Sequence, residues 1–225
     1  MSLTFPRPMP LAGVGGQRFE LQRADFLSPE RKGRIGAMAA GFPLWTAEWT
    51  LPASMGQTGS DEWRAFLASL EGPLRLFLGK EYGRRFPRAY PAGFDGLSRA
   101  AGGAFDGSVT SWSQMITDGQ AVLSLGGLPA GLVLAPGDYV DFRWTTGGEA
   151  RRTLVRSLAP AVASSGGAVS LVVSPAIPAL TPESAVAHLD DPACLMRLAP
   201  QTEISAMDRR KVAGARVLGV QELLP

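Results

Sequence analysis

Only one stretch of this chain, Gly59 to Pro73, carries apolar residues at helical spacing. In "GSDEWRAFLASLEGP" the residues Trp63, Phe66, Leu67 and Leu70 fall on a single stripe. Ser60 is a candidate N-cap, with Asp61 and Glu62 in a first turn whose dipole favours acids. Gly72 sits where a C′ glycine would end the helix, and Pro73 blocks its continuation. Elsewhere the apolar runs are short and cut by turn residues. With 27 glycines and 18 prolines among 225 residues, the chain fits a turn-rich β protein rather than a helical bundle. The expected class is mainly β with one principal helix.

The short runs have an order. "QRFELQRADF", Gln17 to Phe26, places Phe19 and Leu21 on one face of a strand. "SPERKGRIG", Ser28 to Gly36, reads as a polar link. In "PLWTAEWTLP" the residues Trp45, Ala47 and Trp49 face away from Thr46, Glu48 and Thr50. "LRLFLGKE", Leu74 to Glu81, reads as a strand after the helix. From Tyr82 to Ser111 the chain is rich in Gly, Pro and Arg and lacks a period, so it is expected to be a long surface connection. "AVLSLGGL", "DYVDFRW", "RRTLVRSLAPAV" and "AVSLVVSPAIP" then follow, with turns at "TTGG" and "SSGG", the spacing of a small β barrel or sandwich. The best-patterned of them opens at Pro136-Gly137. Tyr139, Asp141 and Arg143 point one way; Val140, Phe142 and Trp144 point the other. "TPESAVAHL", Thr181 to Leu189, suggests one or two helical turns with Thr181 as cap and Pro182 at the first helical position.

The C-terminal stretch "CLMRLAPQTEISAMDRRKVAGARVLGVQELL" reads as strands broken by a loop around Asp208 to Lys211. These strands are too few to stand alone, since an isolated hairpin is marginal in water. They are expected to complete the sheet of the first block. The resulting organisation is a discontinuous β domain over residues 1–85 and 190–225, a Gly/Arg-rich connection over 86–107, and an inserted small β barrel over 108–189.

The inventory of reactive side chains is thin. His188 is the sole histidine, and although Asp190 and Asp191 follow it, no G-x-S-x-G nucleophile elbow occurs. Cys194 is the sole cysteine, so no internal disulfide can form, and it reads as a small buried apolar residue. One Cys and one His do not supply the N/S ligands of a transition-metal site. "AGVGGQ" lacks the preceding strand and following helix of a phosphate loop. No enzyme activity, cofactor or metal is expected. The N-terminus lacks the apolar run of a signal peptide, and no segment reaches the length of a membrane span, so no membrane association is expected. With 22 basic and 20 acidic residues the net charge is +2, and the arginines are scattered rather than gathered into a nucleic-acid-binding stripe.

Two aromatic sets carry candidate roles. Tyr90, Phe94 and Phe105 lie in the unpatterned segment beside Arg84, Arg85 and Arg88, and all six are candidate contacts with another subunit. Trp112 and Trp144 lie in the barrel, where they could form a platform for stacking a glycan; burial in the barrel explains them equally well.

The ordered set of segments resembles the distal tail, or tail-tip, structural proteins of long-tailed bacteriophages, prophages and gene-transfer particles. The resemblance rests on the Trp45–Trp49 strand before "EWRAFLASLEGPLRLFLG", then "LAPGDYVDF", "GAVSLVVSPAIPAL" and "CLMRLA", in that order over residues 17 to 223. Between "CLMRLA" and the final strand the sequence diverges from that pattern. The resemblance implies a homohexameric ring at the end of the tail tube, with a tube-like β-sandwich ring domain and a projecting barrel. Its implied partners are the tail tube protein and the hub, baseplate and fibre proteins. DNA would pass through without specific binding, and the place of residence would be the virion tail tip, after assembly in the host cytoplasm. The competing reading is a tail accessory module that binds host-surface carbohydrate.

Overall fold

The structure is a computed structural model and describes residues 3–11, 13–29, 33, 35–52, 55–200, 202, 207–208, 211–212 and 215–223. The first block contains β1 (Arg7–Pro8), β2 (Gly16–Gln22), β3 (Asp25–Pro29), β4 (Ile35–Ala39), β5 (Leu44–Thr50), the helix α1 (Gln57–Ser69) and β6 (Phe77–Gly79). The middle contains β7 (Ser108–Val109), β8 (Ser111–Thr117), β9 (Gln120–Gly126), β10 (Val133–Leu134), β11 (Tyr139–Thr146), β12 (Glu149–Ser157), β13 (Ala161–Val162), β14 (Val169–Ser174) and β15 (Val186–His188). The chain ends with β16 (Cys194–Leu198), the short pair β17 (Met207–Asp208) and β18 (Lys211–Val212), and β19 (Arg216–Gln221). The protein is mainly β, with one principal helix.

Two sheets organise these strands. One has the order β1-β6-β16-β19-β5-β2, so β16 and β19 lie between β6 and β5 and draw the C-terminal strands into the sheet of the first block. The other has the order β7-β15-β11-β12-β14-β9-β8. Its two edge strands, β7 and β8, are consecutive in the chain, and the sheet curls into a nearly closed barrel.

On the six-stranded sheet the alternation of β5 works as the sequence implies. Trp45 and Trp49 are fully buried and Ala47 nearly so, while Thr50 is exposed. Phe19 of β2 stacks on Trp45 at 5.3 Å between ring centroids. Gly79 and Gly219 sit among these large side chains. A Cβ on Gly79 would collide with the Met196 thioether, and one on Gly219 would come within 3.1 Å of both Phe77 and Trp49. Glycine is needed there for the close approach of rings and sulfur, not for backbone conformation.

The helix buries Trp63, Phe66, Leu67 and Leu70, as its stripe implies. Its start is earlier than expected. Gly56 is the N-cap, without a side-chain hydrogen bond, and Ser60 lies inside the helix, 2% exposed. Asp61 and Glu62 therefore fall beyond the first turn. The left-handed residue that ends the helix is Glu71, with φ of 52°, and Gly72 follows it in the same region. The strand expected over Leu74 to Glu81 shrinks to β6, because Gly72–Leu74 form a 3-10 turn.

Three other expectations change. Thr181 to Ala185 form turns, and the strand β15 takes up Val186–His188, where helical turns were expected. The link after Ser28 contains a strand, β4, which pairs with β3 in a separate two-stranded hairpin; Glu30, Arg31, Lys32 and Arg34 lie outside the described residues, as do Arg209 and Arg210 of the C-terminal loop. The segment from Tyr82 to Ser111 is not a loose surface strap. Phe94 and Phe105 are buried in the barrel core, 5% and 3% exposed, and Phe86, Tyr90 and Leu97 pack against it. Lack of periodicity does not exclude packing where aromatic residues dock as single anchors.

Candidate functional site

The first half of β11, from Tyr139 to Phe142, is buried on both sides. Val140 and Phe142 enter the barrel core, while Tyr139 joins the core of the six-stranded sheet together with Leu154 of β12. Tyr139 meets Trp45 edge-on at 5.7 Å, and Trp45 Nε1 donates to the Leu154 carbonyl at 2.8 Å. The face that carries Tyr139, Asp141 and Arg143 is thus pressed against the other sheet. That places a carboxylate with no solvent exposure, Asp141, at the junction.

Asp141 is held by two arginines. Arg143 Nε donates to its oxygens at 3.0 and 3.2 Å, and Arg152 Nη1 donates to Oδ2 at 2.9 Å. Arg143 and Arg152 are register partners on β11 and β12, which brings both guanidinium groups to one carboxylate. Burial pushes the Asp141 carboxyl up, against the opposing pull of Arg143 and Arg152. Burial alone would also raise the Asp190 carboxyl, but the hydrogen bond from His188 and the charge of Arg143 overcome it and hold Asp190 below the ordinary range.

The cluster continues into the first block. Arg143 donates to the Asp190 carbonyl and lies 3.5 Å from the Asp190 carboxylate. Lys80, just after β6, pairs with Asp191 at 2.7 Å. Asp190 and Asp191 occupy the crossing between β15 and β16, so the network ties the crossing to both sheets. His188 contacts Asp190 Oδ1 at 2.9 Å. Asp141 is held by Arg143 and Arg152, Asp190 by His188 and Arg143, and Asp191 by Lys80, so the three carboxylates form an ionic clamp at the junction.

The stability of the clamp depends on acid. Because the folded pKa of Asp190 is depressed, its stabilising contribution is present above the unfolded carboxylate value, about 3.9, and is lost as pH falls through the lower folded value. His188, Arg143, Asp141, Asp191 and Lys80 are the charged or titratable groups grouped around it. Thermal melts from pH 6 down to about pH 2 should show a steeper loss for the natural protein than for Asp190→Asn. Parallel curves would contradict this role.

The other candidate residues scatter. Arg84 is engaged, 3.7 Å from Asp138 and 3.8 Å from Glu81. Arg85 and Arg88 are exposed. Tyr90 accepts a hydrogen bond from the Val133 amide at 3.0 Å and packs against the barrel. Phe94 and Phe105 are committed to the chain's own core, so neither supplies area to another subunit. Trp112 donates from Nε1 to the Ala185 carbonyl at 2.7 Å and packs on Phe142, yet also lines an open cleft of about 530 Å³. Trp144 is half-buried and packs against the barrel core, with its Nε1 buried and without a hydrogen-bond partner among the described residues. Cys194 is fully buried and burial pushes its thiol up.

No family model and no curated protein matches this chain. Among the described residues no group of three or more His, Cys, Asp or Glu is arranged to hold a metal ion, and no helix is long and apolar enough to cross a membrane. What sequence reasoning missed is the clamp. The alternation places Asp141 and Arg143 on one face of the strand, but it does not say what that face meets.

Proposed function

We propose that this protein is a structural assembly component that forms a homo-oligomeric ring, in the manner of a distal tail protein joining a tail tube to the hub or baseplate. The observation that carries this reading is the hairpin β3–β4. It pairs with no other described strand. Phe26, Leu27, Ile35 and Met38 are each between 64% and 69% exposed on it. An isolated two-stranded hairpin is marginal in water, and free strand edges bearing apolar side chains invite pairing with another chain. A neighbouring copy that covers the hairpin resolves both problems at once.

The charge pattern agrees with a role as a conduit rather than a reader of nucleic acid. Arg216 pairs with Glu48, Arg197 with Glu222, Arg156 with Glu20 and Arg99 with Asp106. Arginines neutralised within the chain do not form the continuous stripe that would grip a passing duplex. The tube, hub and fibre proteins, and residence in a virion tail tip, belong to this proposal through the sequence resemblance alone.

Sedimentation of the natural protein and of a variant with Phe26→Ser, Leu27→Asn, Ile35→Thr and Met38→Ser tests the reading. The natural protein should sediment as an oligomer and the variant as a monomer with an unchanged melt, because the four side chains touch solvent in the isolated chain. An unchanged oligomer, or a natural protein that stays monomeric, would contradict it. The second reading, a carbohydrate-binding module, draws on Trp112 beside Ser111, Ser113 and Glu183 in the 530 Å³ cleft. Glycan binding abolished by Trp112→Ala would favour it over the ring.

A further inference from the structure

We propose that the loop from Tyr82 to Pro91 is a receiving pocket for the carboxylates of an acidic peptide segment. The loop lines an open cleft of about 350 Å³, walled by Tyr82, Arg84, Arg85, Phe86, Arg88 and Pro91. Arg85 and Arg88 are exposed, and neither has a carboxylate within ion-pair distance among the described residues. Elsewhere the arginines mostly have acids of their own: Arg99, Arg143, Arg152, Arg156 and Arg197 are each paired within the chain.

The acid that holds the Arg88 amide is already occupied. Asp138, 2% exposed, accepts from the Arg88 amide at 2.9 Å through Oδ1 and from the Ala135 amide at 2.7 Å through Oδ2. It holds the loop's backbone and leaves the guanidinium of Arg88 without an acid. The loop is pinned at two further points. The Asp191 amide donates to the Arg85 carbonyl at 2.7 Å, and the Val133 amide donates to Tyr90 Oη at 3.0 Å. Arg85 lies over the Phe86 ring at 5.4 Å, which limits its freedom. Two cationic side chains therefore stand on a backbone that needs no reordering on binding, which lowers the entropic cost of association.

Guanidinium groups match carboxylates through paired hydrogen bonds, more specifically than a point charge would. The cleft is small and concave, with Phe86, Pro87 and Pro91 as apolar walls, so it suits side chains of an extended segment. Two charges in such a pocket do not form the extended track that a nucleic acid duplex requires. The inference does not depend on the ring, since one chain carries the whole pocket.

The test uses the full chain and fluorescence anisotropy of a labelled peptide of alternating Glu and Gly, with its Gln counterpart, citrate and a random-sequence DNA duplex as comparisons. The Glu peptide should bind saturably and the Gln peptide should not. Arg85→Ala with Arg88→Ala should weaken binding by about tenfold or more, with an unchanged melt. Arg18→Ala, at an exposed arginine elsewhere, should leave it within about twofold. Equal binding to the double variant, absence of saturable binding, displacement by citrate at the peptide's own concentration, or tighter binding of the duplex would each overturn the proposal. Oligomeric state is read separately by sedimentation, so failure here and failure of the ring are distinct results.

Discussion

Replacing Asp141 with alanine will destabilise the fold by about 3–5 kcal/mol, the usual cost of removing one partner from a buried ion pair. The carboxylate is fully buried and its two guanidinium partners are largely so, with 24% and 19% of their side chains exposed. Removal leaves two positive charges facing one another in the junction between the sheets, with Asp190 and Asp191 as the remaining acids. Urea unfolding followed by tryptophan fluorescence measures the loss, since Trp45 lies in the neighbouring core. Replacing the whole group with apolar side chains, as Asp141→Leu, Arg143→Met and Arg152→Leu, should recover most of it, because the cost lies in the uncompensated charge. A loss below about 1 kcal/mol for Asp141→Ala would mean that the clamp does not hold the sheets together.

The second large effect is in the helix. Phe66→Ala should cost about 3–5 kcal/mol, the range for truncating a buried aromatic residue. Phe66 is 1% exposed and meets Trp63 and Phe77 edge-on, each at 5.7 Å. Its ring joins α1 to β6, and its removal opens a cavity between helix and sheet that rigid neighbours such as Trp63 and Phe77 cannot fill. Leu74→Ala, at a position 69% exposed just after the helix, should stay within about 0.5 kcal/mol. Similar losses at both positions would show that the stripe is not the core contact described here.

The parts of the fold that were legible are those in which one periodic face meets one core. Trp63, Phe66, Leu67 and Leu70 announce the buried side of α1, and Trp45, Ala47 and Trp49 that of β5. At β11 the same logic stops short. Val140 and Phe142 identify the barrel side correctly, but nothing local tells that Tyr139 and Asp141 face a second sheet built from strands more than 50 residues away on either side. Arg152 and Asp190 complete the clamp only after β12 and β15 align beside β11. Phe94 and Phe105 were obscured for a different reason: a glycine-rich segment buries single rings without any repeating face. The strand β4 was hidden because its neighbours Glu30, Arg31, Lys32 and Arg34 make the link look wholly polar. The candidate interface was therefore half legible, in the exposed Arg85 and Arg88 but not in the hairpin.

The central claim, that this chain is a ring-forming assembly component, is tested most directly by electron microscopy of the purified protein. The account predicts closed rings with a central hole wide enough for a DNA duplex, six-fold by the sequence resemblance, with the β3–β4 hairpin covered by the adjacent copy. Separate monomers, or compact assemblies without a central opening and with the hairpin facing solvent, would contradict it.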